Sequence, residues 1–140
     1  MQPEAEKIPH ILVVDDSQLN LKTVCLLLER IGCRASGAAS GEQALQLLQE
    51  QQIDLVLMDC MMPDMDGYEA TRRIRSGGSN RAVPVVAISA RIDPACRALC
   101  REVGMDDFIE KPINRQRLVA VLQRWFQLND SPKAQQGVRT

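Results

Sequence analysis

Short apolar runs alternate with longer segments of helical period along most of this chain. The runs predicted to be β-strands cover residues 11–14, 34–38, 53–58, 83–88 and 107–109. The first, third and fourth runs contain the unbroken apolar tracts Ile-Leu-Val-Val, Leu-Val-Leu-Met and Val-Val-Ala-Ile, as expected for strands that are buried on both faces. The second and fifth runs are weaker. This alternation predicts five βα units arranged around a parallel sheet, which is an α/β fold.

Capping residues support the helices between these strands. Side chains suited to N-caps precede three predicted helices, at Ser40, Asp66 and Asp93. Glycines suited to ending a helix follow two helical segments, at Gly32 and Gly104. The helix boundaries are therefore predicted from local signals as well as from periodicity.

The last predicted helix begins near Asn114 and carries an apolar stripe of Leu118, Val121, Leu122 and Trp125. We therefore expect Trp125 to belong to the core. A length of 140 residues with 45% hydrophobic content suits one domain. We predict this domain at residues 8–128, an N-terminal extension at residues 1–7, and a flexible tail or linker remnant at residues 129–140.

The charge balance argues against nucleic acid as a partner. Lysine and arginine total 17 against 18 acidic residues, a net charge of -1, so the domain has no global positive field. The first residues lack the basic and apolar segments of a signal peptide, and no apolar run approaches the ~18 residues of a membrane span. We expect a cytoplasmic domain that contacts neither nucleic acid nor membrane.

The five cysteines include no Cys-x-x-Cys pair and lie mostly in apolar runs. This pattern is typical of buried thiols in a reducing compartment. Cys96 and Cys100 are four residues apart on a predicted helix and could share a face. With no histidine near them, we favour a structural role for this pair over a metal site.

Polar residues of functional type follow the predicted strands. Asp15 and Asp16 follow the first strand, Asp59 the third, Ser89 the fourth, and Lys111 comes soon after the fifth. In an open parallel sheet, ligands collect at the carboxyl ends of the strands, so these side chains are expected to converge.

Converging carboxylates repel each other by on the order of 4 kcal/mol for a pair about 4 Å apart at an effective dielectric constant of about 20. A hard divalent cation such as Mg²⁺ would offset this repulsion, since it prefers oxygen ligands. Lys111 would add a second positive charge. An aspartate in such surroundings is ionised and can attack phosphorus to form an acyl phosphate.

These motifs closely resemble the receiver domain of bacterial two-component response regulators and hybrid sensor kinases. The resemblance covers roughly residues 8–128. It is carried by Ile-Leu-Val-Val-Asp15-Asp16-Ser, Val-Leu-Met-Asp59-Cys-Met-Met-Pro63-Asp-Met-Asp66-Gly67, Ala-Ile-Ser89-Ala90 and Asp-Phe108-Ile-Glu-Lys111-Pro112-Ile. It implies a doubly wound, flavodoxin-like and CheY-like (βα)5 fold with a five-stranded parallel sheet in strand order 2-1-3-4-5.

The resemblance also implies a role for each matching site residue. Asp59 would be the phosphoacceptor. Asp16 and Asp59 would coordinate Mg²⁺, with Mn²⁺ as an alternative, together with the backbone carbonyl of Met61, and Asp15 would act largely through water. The side chains that would bind the phosphoryl group are Ser89 and Lys111.

Other matching positions concern the loops and the switch. Pro63 and Gly67 resemble the turn residues that follow the acceptor, and the Lys111-Pro112 bond is often cis in this family. Ser89 would move toward the phosphoryl group, and Phe108 would rotate into the space that it vacates. Phenylalanine replaces the frequent tyrosine here and has no hydroxyl to anchor its outward state.

The implied partners are a histidine kinase or a histidine phosphotransfer domain, and a downstream protein partner. The motifs look more like receivers of hybrid kinases than like stand-alone regulators. The domain itself would be a phosphoacceptor with self-catalysed phosphorylation and dephosphorylation, either on its own or as part of a hybrid histidine kinase. A degenerate receiver that only binds protein partners is the alternative, although the complete set of acidic, serine and lysine residues argues against it.

Three further classes fit the sequence less well. A phosphatase of the haloacid dehalogenase type needs an aspartate two residues after its nucleophile, where Met61 stands. An EF-hand calcium loop around Asp64 and Asp66 would begin at Met62 and end at Arg73 instead of glutamate. A flavodoxin-like nucleotide binder would need a glycine-rich phosphate loop after the first strand.

Met61 and Arg91 stand at the two positions that modulate the lifetime of the acyl phosphate in the family. A bulky apolar group and a long cation would hinder or redirect the attacking water, so we expect a phosphorylated state that lasts minutes or longer. The measurement is the decay of the phosphorylated protein after removal of the donor. Faster decay in the wild type than in Met61→Asn would contradict this expectation.

Overall fold

The computed structural model describes residues 8–78 and 81–126. Strands and helices alternate along the chain. The elements are β1 (His10–Val14), α1 (Gln18–Ile31), β2 (Arg34–Ala38), α2 (Gly41–Glu50), β3 (Leu55–Asp59), α3 (Gly67–Arg75), β4 (Val85–Ser89), α4 (Pro94–Val103), β5 (Asp107–Glu110) and α5 (Arg115–Trp125). The predicted extension at residues 1–7 and tail at residues 129–140 lie outside the described residues, as do residues 127 and 128 of the predicted domain.

The strands form one five-stranded parallel sheet in the order β2-β1-β3-β4-β5. The register pairs Val14 of β1 with Met58 of β3, and Asp59 of β3 with Ile88 of β4. The carboxyl ends of the three central strands therefore lie side by side. The predicted doubly wound α/β fold and its strand order are confirmed.

Alternate residues of the central strands face two separate cores. Leu12 and Val14 belong to a cluster that includes side chains of α2, α3 and α4. Ile11 and Val13 belong to a second cluster, which includes side chains of α1 and α5. Helices thus cover both faces of the sheet, which explains why these strands are apolar throughout instead of alternating.

Strand ends differ from the sequence prediction by one or two residues, except in β2. The largest differences are at β3 and β4, which begin at Leu55 and Val85, two residues later than predicted. Ile53 and Val83 are buried although they precede the ladders. An apolar run in the sequence indicates which side chains are buried, not which residues pair in the sheet. The side chains of Ile53 and Val83 are buried in the core although their residues lie outside the strands.

The predicted helix caps are confirmed. The side chains of Ser40, Asp66 and Asp93 accept hydrogen bonds from backbone N–H groups in the first turns of α2, α3 and α4. Gly32 and Gly104 end α1 and α4 in the left-handed conformation, with φ of 114° and 99°. No helix in the described part of the chain is both long and apolar enough to cross a bilayer.

The prediction that Trp125 belongs to the core is wrong. Its side chain is at the surface, 37% exposed, and its indole N–H donates to Asp107 Oδ2 at 3.0 Å. Arg124 donates to both oxygens of the same carboxylate. Burial by itself would raise the pKa of Asp107, but these hydrogen bonds outweigh it and leave the pKa below its ordinary value. The indole needs a polar partner, which the rim of β5 supplies and the core does not.

Candidate acidic site at the carboxyl edge

Three carboxylates meet where β1 and β3 end. One oxygen from each of Asp15, Asp16 and Asp59 lies within 4.8 Å of the other two. Asp15 and Asp59 are buried, with 5% and 3% exposure, whereas Asp16 is exposed. The parallel register of the two adjacent strands brings the three residues together, as the strand-end pattern predicted.

Backbone N–H groups and one ammonium group hold these carboxylates. Ser17 N donates to Asp15 Oδ1 at 2.9 Å, and Met61 N donates to Asp59 Oδ1 at 3.2 Å. Lys111 Nζ lies 3.5 Å from the other oxygen of Asp59. Burial raises the pKa of Asp59, and the charge of Asp15 raises it further. The Met61 N–H and Lys111 lower this pKa, but the net shift is upward.

The raised pKa of Asp59 means that its surroundings do not fully compensate the negative charge. Oxygen ligands alone form the cluster, which suits a hard divalent cation such as Mg²⁺ better than a soft metal ion. Over residues 8–78 and 81–126, this is the one group of three or more His, Cys, Asp or Glu side chains close enough to hold a metal ion.

Lys111 and Ser89 reach the site from the two neighbouring strands. Lys111 follows β5, its backbone N–H donates to Ser89 O at 2.8 Å, and its bond to Pro112 is cis, as the resemblance implies. The Ser89 hydroxyl donates to Arg91 O at 2.9 Å and accepts from Arg91 N at 3.3 Å. Ser89 ends β4, which pairs with the strand that ends in Asp59, and its hydroxyl is bonded to its own loop.

The loop between β3 and α3 brings the chain back close to the end of β3. Gly67 N donates to Cys60 O at 3.1 Å. A Cβ atom on Gly67 would overlap the carbonyl oxygen of Asp59 and lie 2.9 Å from Met58 Cγ. Pro63 is exposed, and Asp64 after it has φ of 65°. Glycine is required where the start of α3 crosses the backbone of Asp59.

The side chains of the three remaining predicted residues differ in exposure. The Met61 side chain is 71% exposed, and Arg91 is exposed with its guanidinium 3.3 Å from the Asp93 carboxylate. Phe108 is half-buried on β5, and the guanidinium of Arg97 stacks over its ring at 4.6 Å from the centroid.

Arg97 is a contact that sequence reasoning missed. It lies on α4 and stacks on a ring of β5, and no local period links the two elements. The two side chains also line a groove of about 310 Å³ with residues of α5. An aromatic residue on a short edge strand, facing an arginine-bearing helix, is the only signal that could have suggested the pair.

Known proteins share this architecture, in which a doubly wound sheet has a serine, a lysine and three carboxylates at the carboxyl ends of its strands. The chain matches the response regulator receiver domain over residues 11–123. It is 36% identical over 139 residues to the sensor protein GacS of Pseudomonas syringae pv. syringae, covering 95% of this chain and 15% of GacS. The chain belongs to the response regulator receiver domain family.

Solved structures agree with this assignment. The receiver domain of the sensor histidine kinase PA1611 from Pseudomonas aeruginosa PAO1 has a magnesium ion coordinated in its active site cleft. It is 38% identical, with a TM-score of 0.77 over 85% of this chain and 98% of that one. The chemotaxis protein CheY4 of Vibrio cholerae is 28% identical, with a TM-score of 0.82 over 86% of this chain and 100% of that one. The chain therefore matches receiver structures over nearly their whole length, but spans only a small part of GacS.

We predict that Gly67→Ala lowers the free energy of unfolding by about 3 kcal/mol, because a methyl group there meets backbone atoms that cannot move aside. Urea unfolding followed by far-UV circular dichroism measures this. Gly77→Ala is the matched control, since a Cβ on Gly77 meets nothing within 4 Å. The control is expected to change the free energy by less than about 0.5 kcal/mol. Equal effects of the two variants would contradict the close-approach argument.

Proposed function

We propose that this domain accepts a phosphoryl group on Asp59 from a phosphorylated histidine and changes conformation as a result. The observation that carries the proposal is a buried aspartate beside two further carboxylates and the Lys111 ammonium group. A buried carboxylate surrounded in this way is suited to nucleophilic attack rather than to a solvated surface role.

The same cluster supports a bound divalent cation. Asp15, Asp16 and Asp59, with the backbone carbonyl of Met61, would hold Mg²⁺, and Mn²⁺ is an alternative. When bound, the cation neutralises the carboxylates and attracts phosphoryl oxygens. The magnesium ion in the similar PA1611 receiver domain supports this choice.

Asp59, Lys111 and Ser89 have different roles in the proposed phosphoryl transfer. An oxygen of Asp59 attacks phosphorus, the P–O bond forms, and the P–N bond to the donor histidine breaks with its electron pair left on the imidazole. Lys111 lies 3.5 Å from the acceptor carboxylate and compensates the added negative charge. Ser89 would exchange its bond with Arg91 O for one with a phosphoryl oxygen.

Movement of Ser89 would transmit the modification to β5 and α4. Phe108 would turn inward into the space that Ser89 vacates. The ring lacks a hydroxyl group, so we propose that stacking under Arg97 stabilises its position at the surface. The output surface would then include α4, β5 and α5.

Met61 and Arg91 would control the lifetime of the acyl phosphate. The exposed Met61 side chain could cover the approach to Asp59 from solvent. Arg91 pairs with Asp93 in this structure, so its effect on water would act through the Ser89 loop.

The proposed partners are a histidine kinase or histidine phosphotransfer domain as phosphodonor, and a downstream protein that reads the output surface. Similarity to GacS favours a receiver of the hybrid-kinase type. The five free cysteines fit a reducing compartment, which supports a cytoplasmic location for the domain or for that part of a membrane-bound kinase.

The deciding experiment is the intact mass after incubation with acetyl phosphate, with and without Mg²⁺. We expect one adduct of about 80 Da that requires the metal ion and is lost in Asp59→Asn. Asp64→Asn is the matched control, since Asp64 is an exposed aspartate in the same loop, and this variant is expected to keep the adduct.

An adduct that survives in Asp59→Asn would assign the acceptor to another residue. Absence of any adduct in protein with an intact circular dichroism spectrum would leave the degenerate, partner-binding receiver as the function. Capture of a labelled histidine phosphotransfer domain would then be the discriminating measurement.

We predict that Arg97→Ala shifts Phe108 toward its inward position without phosphorylation. Loss of a cation–π contact of about 0.5–1 kcal/mol would change the ratio of the two ring positions by about two- to fivefold. The chain has two phenylalanines, so fluorophenylalanine labelling gives two ¹⁹F signals, assigned with Phe126→Leu. The beryllofluoride-bound protein supplies the reference for the inward state.

Arg101→Ala, on the same helix, is the control and is expected to leave the Phe108 signal unchanged. An identical Phe108 signal in the free and beryllofluoride-bound wild type would rule out the aromatic switch. No shift in Arg97→Ala would rule out the stacking contact as its anchor.

A further inference from the structure

Three of the five cysteines and one tyrosine lie in or against the same core cluster, which α2, α3 and α4 cover. Cys60 directly follows β3, Cys96 and Cys100 lie one turn apart on α4, and Tyr68 lies on α3. We call these four residues the thiol cluster. Cys60 is close enough to Tyr68 and Cys100 for both to affect its ionisation. The proposed phosphoryl transfer uses none of these side chains.

Two thiols of the cluster are positioned for a bond between them. Cys96 Sγ and Cys100 Sγ are 4.0 Å apart. Residues four apart on an α-helix have Cα atoms about 6 Å apart, which lies within the range that a disulfide spans. Cβ atoms at this spacing on a regular helix are about 5–6 Å apart, which is more than the roughly 3.5–4.5 Å of a disulfide, so closing the bond also needs a local shift of the α4 backbone.

The two thiols differ in access. Cys96 is half-buried near the start of α4 and is within reach of a small solute, whereas Cys100 is buried, with 3% exposure. Tyr68 Oη is 3.5 Å from Cys96 Sγ. Burial raises the pKa of Tyr68, so its hydroxyl keeps the proton that it can donate to that sulfur. Burial also raises the pKa of Cys100 to about 12, so this thiol has to lose its proton as it attacks and is expected to react slowly.

We propose that Cys96 and Cys100 form an oxidisable dithiol, which a hydroperoxide converts into a disulfide on α4. Cys96 sulfur attacks the peroxide, the O–O bond breaks, and Cys96 becomes a sulfenic acid while an alcohol or water leaves. Cys100 sulfur then attacks Cys96 sulfur. The S–S bond forms, and the sulfenic hydroxyl leaves as water with the thiol proton of Cys100.

A metal cage is a weaker interpretation of the same cluster. Among residues 8–78 and 81–126, the three carboxylates are the one group of metal-ligating side chains close enough to hold an ion. The three thiols do not form such a group. Cys96 Sγ and Cys100 Sγ are 4.0 Å apart, as a dithiol requires, and Cys60 is a second neighbour of Cys100.

The sequence makes this bond easy to locate. Trypsin cleaves after Arg91, Arg97 and Arg101, which puts Cys96 and Cys100 on two short peptides, and the other three cysteines fall on three further peptides. Any disulfide therefore appears as one specific linked pair. Oxidation is done with hydrogen peroxide on the reduced full chain, without phosphodonor or Mg²⁺, so the result does not depend on the proposed function.

We expect a mass loss of about 2 Da, with the link mapped to Cys96 and Cys100. Cys100→Ser is expected to stop at a gain of about 16 Da on Cys96 that a sulfenic acid reagent captures. Cys25→Ser is the matched control because Cys25 is also half-buried, and it is expected to form the disulfide at the wild-type rate. Circular dichroism confirms that each variant is folded.

Three outcomes would overturn the proposal. These are a link that maps to Cys60 instead of Cys96, oxidation of Cys25 at the same rate as Cys96, and no mass change in the wild type under conditions that oxidise a free dithiol.

Discussion

Repulsion among carboxylates at one edge of the sheet is the constraint on which the site depends. Two of the three are buried, and a pair about 4 Å apart repels by on the order of 4 kcal/mol at an effective dielectric constant of about 20. Rigid neighbouring strands hold them there, while two backbone N–H groups and Lys111 compensate part of the charge. The pKa of Asp59 is still raised, so the site is electrostatically prepared to receive positive charge.

The geometry around Asp59 is fixed mainly by backbone. Its strand lies between β1 and β4, and the start of α3 approaches its carbonyl so closely that only glycine fits at position 67. The two side chains that we propose as the switch make other kinds of contact. The Ser89 hydroxyl is bonded to its own loop, and half-buried Phe108 packs against the core and under the Arg97 guanidinium. In the proposed function, a change of charge at Asp59 would move these side chains without disturbing the sheet.

Carboxylate oxygens and thiol groups are found at two consecutive residues at the end of β3. Asp59 ends β3 among oxygen ligands, and Cys60 next to it faces a core that contains Tyr68 and two further thiols. Asp59 and Cys60 have different surroundings because consecutive side chains of an extended chain point in opposite directions. The acidic site and the thiol cluster thus share the carboxyl end of one strand but differ in solvent access and in the reagents that they would attract.

The sequence by itself determined the α/β class, the buried central strands, the helix caps and the residues at the strand ends, since each depends on local period or local hydrogen bonding. The strand order and the proposed roles of Asp59 and Lys111 required motif resemblance. Only the tertiary structure decided that Trp125 lies at the surface on Asp107, that Arg97 stacks on Phe108, and that Tyr68 meets Cys96. These contacts join elements distant in sequence, and their energies depend on three-dimensional distance, which no local pattern records.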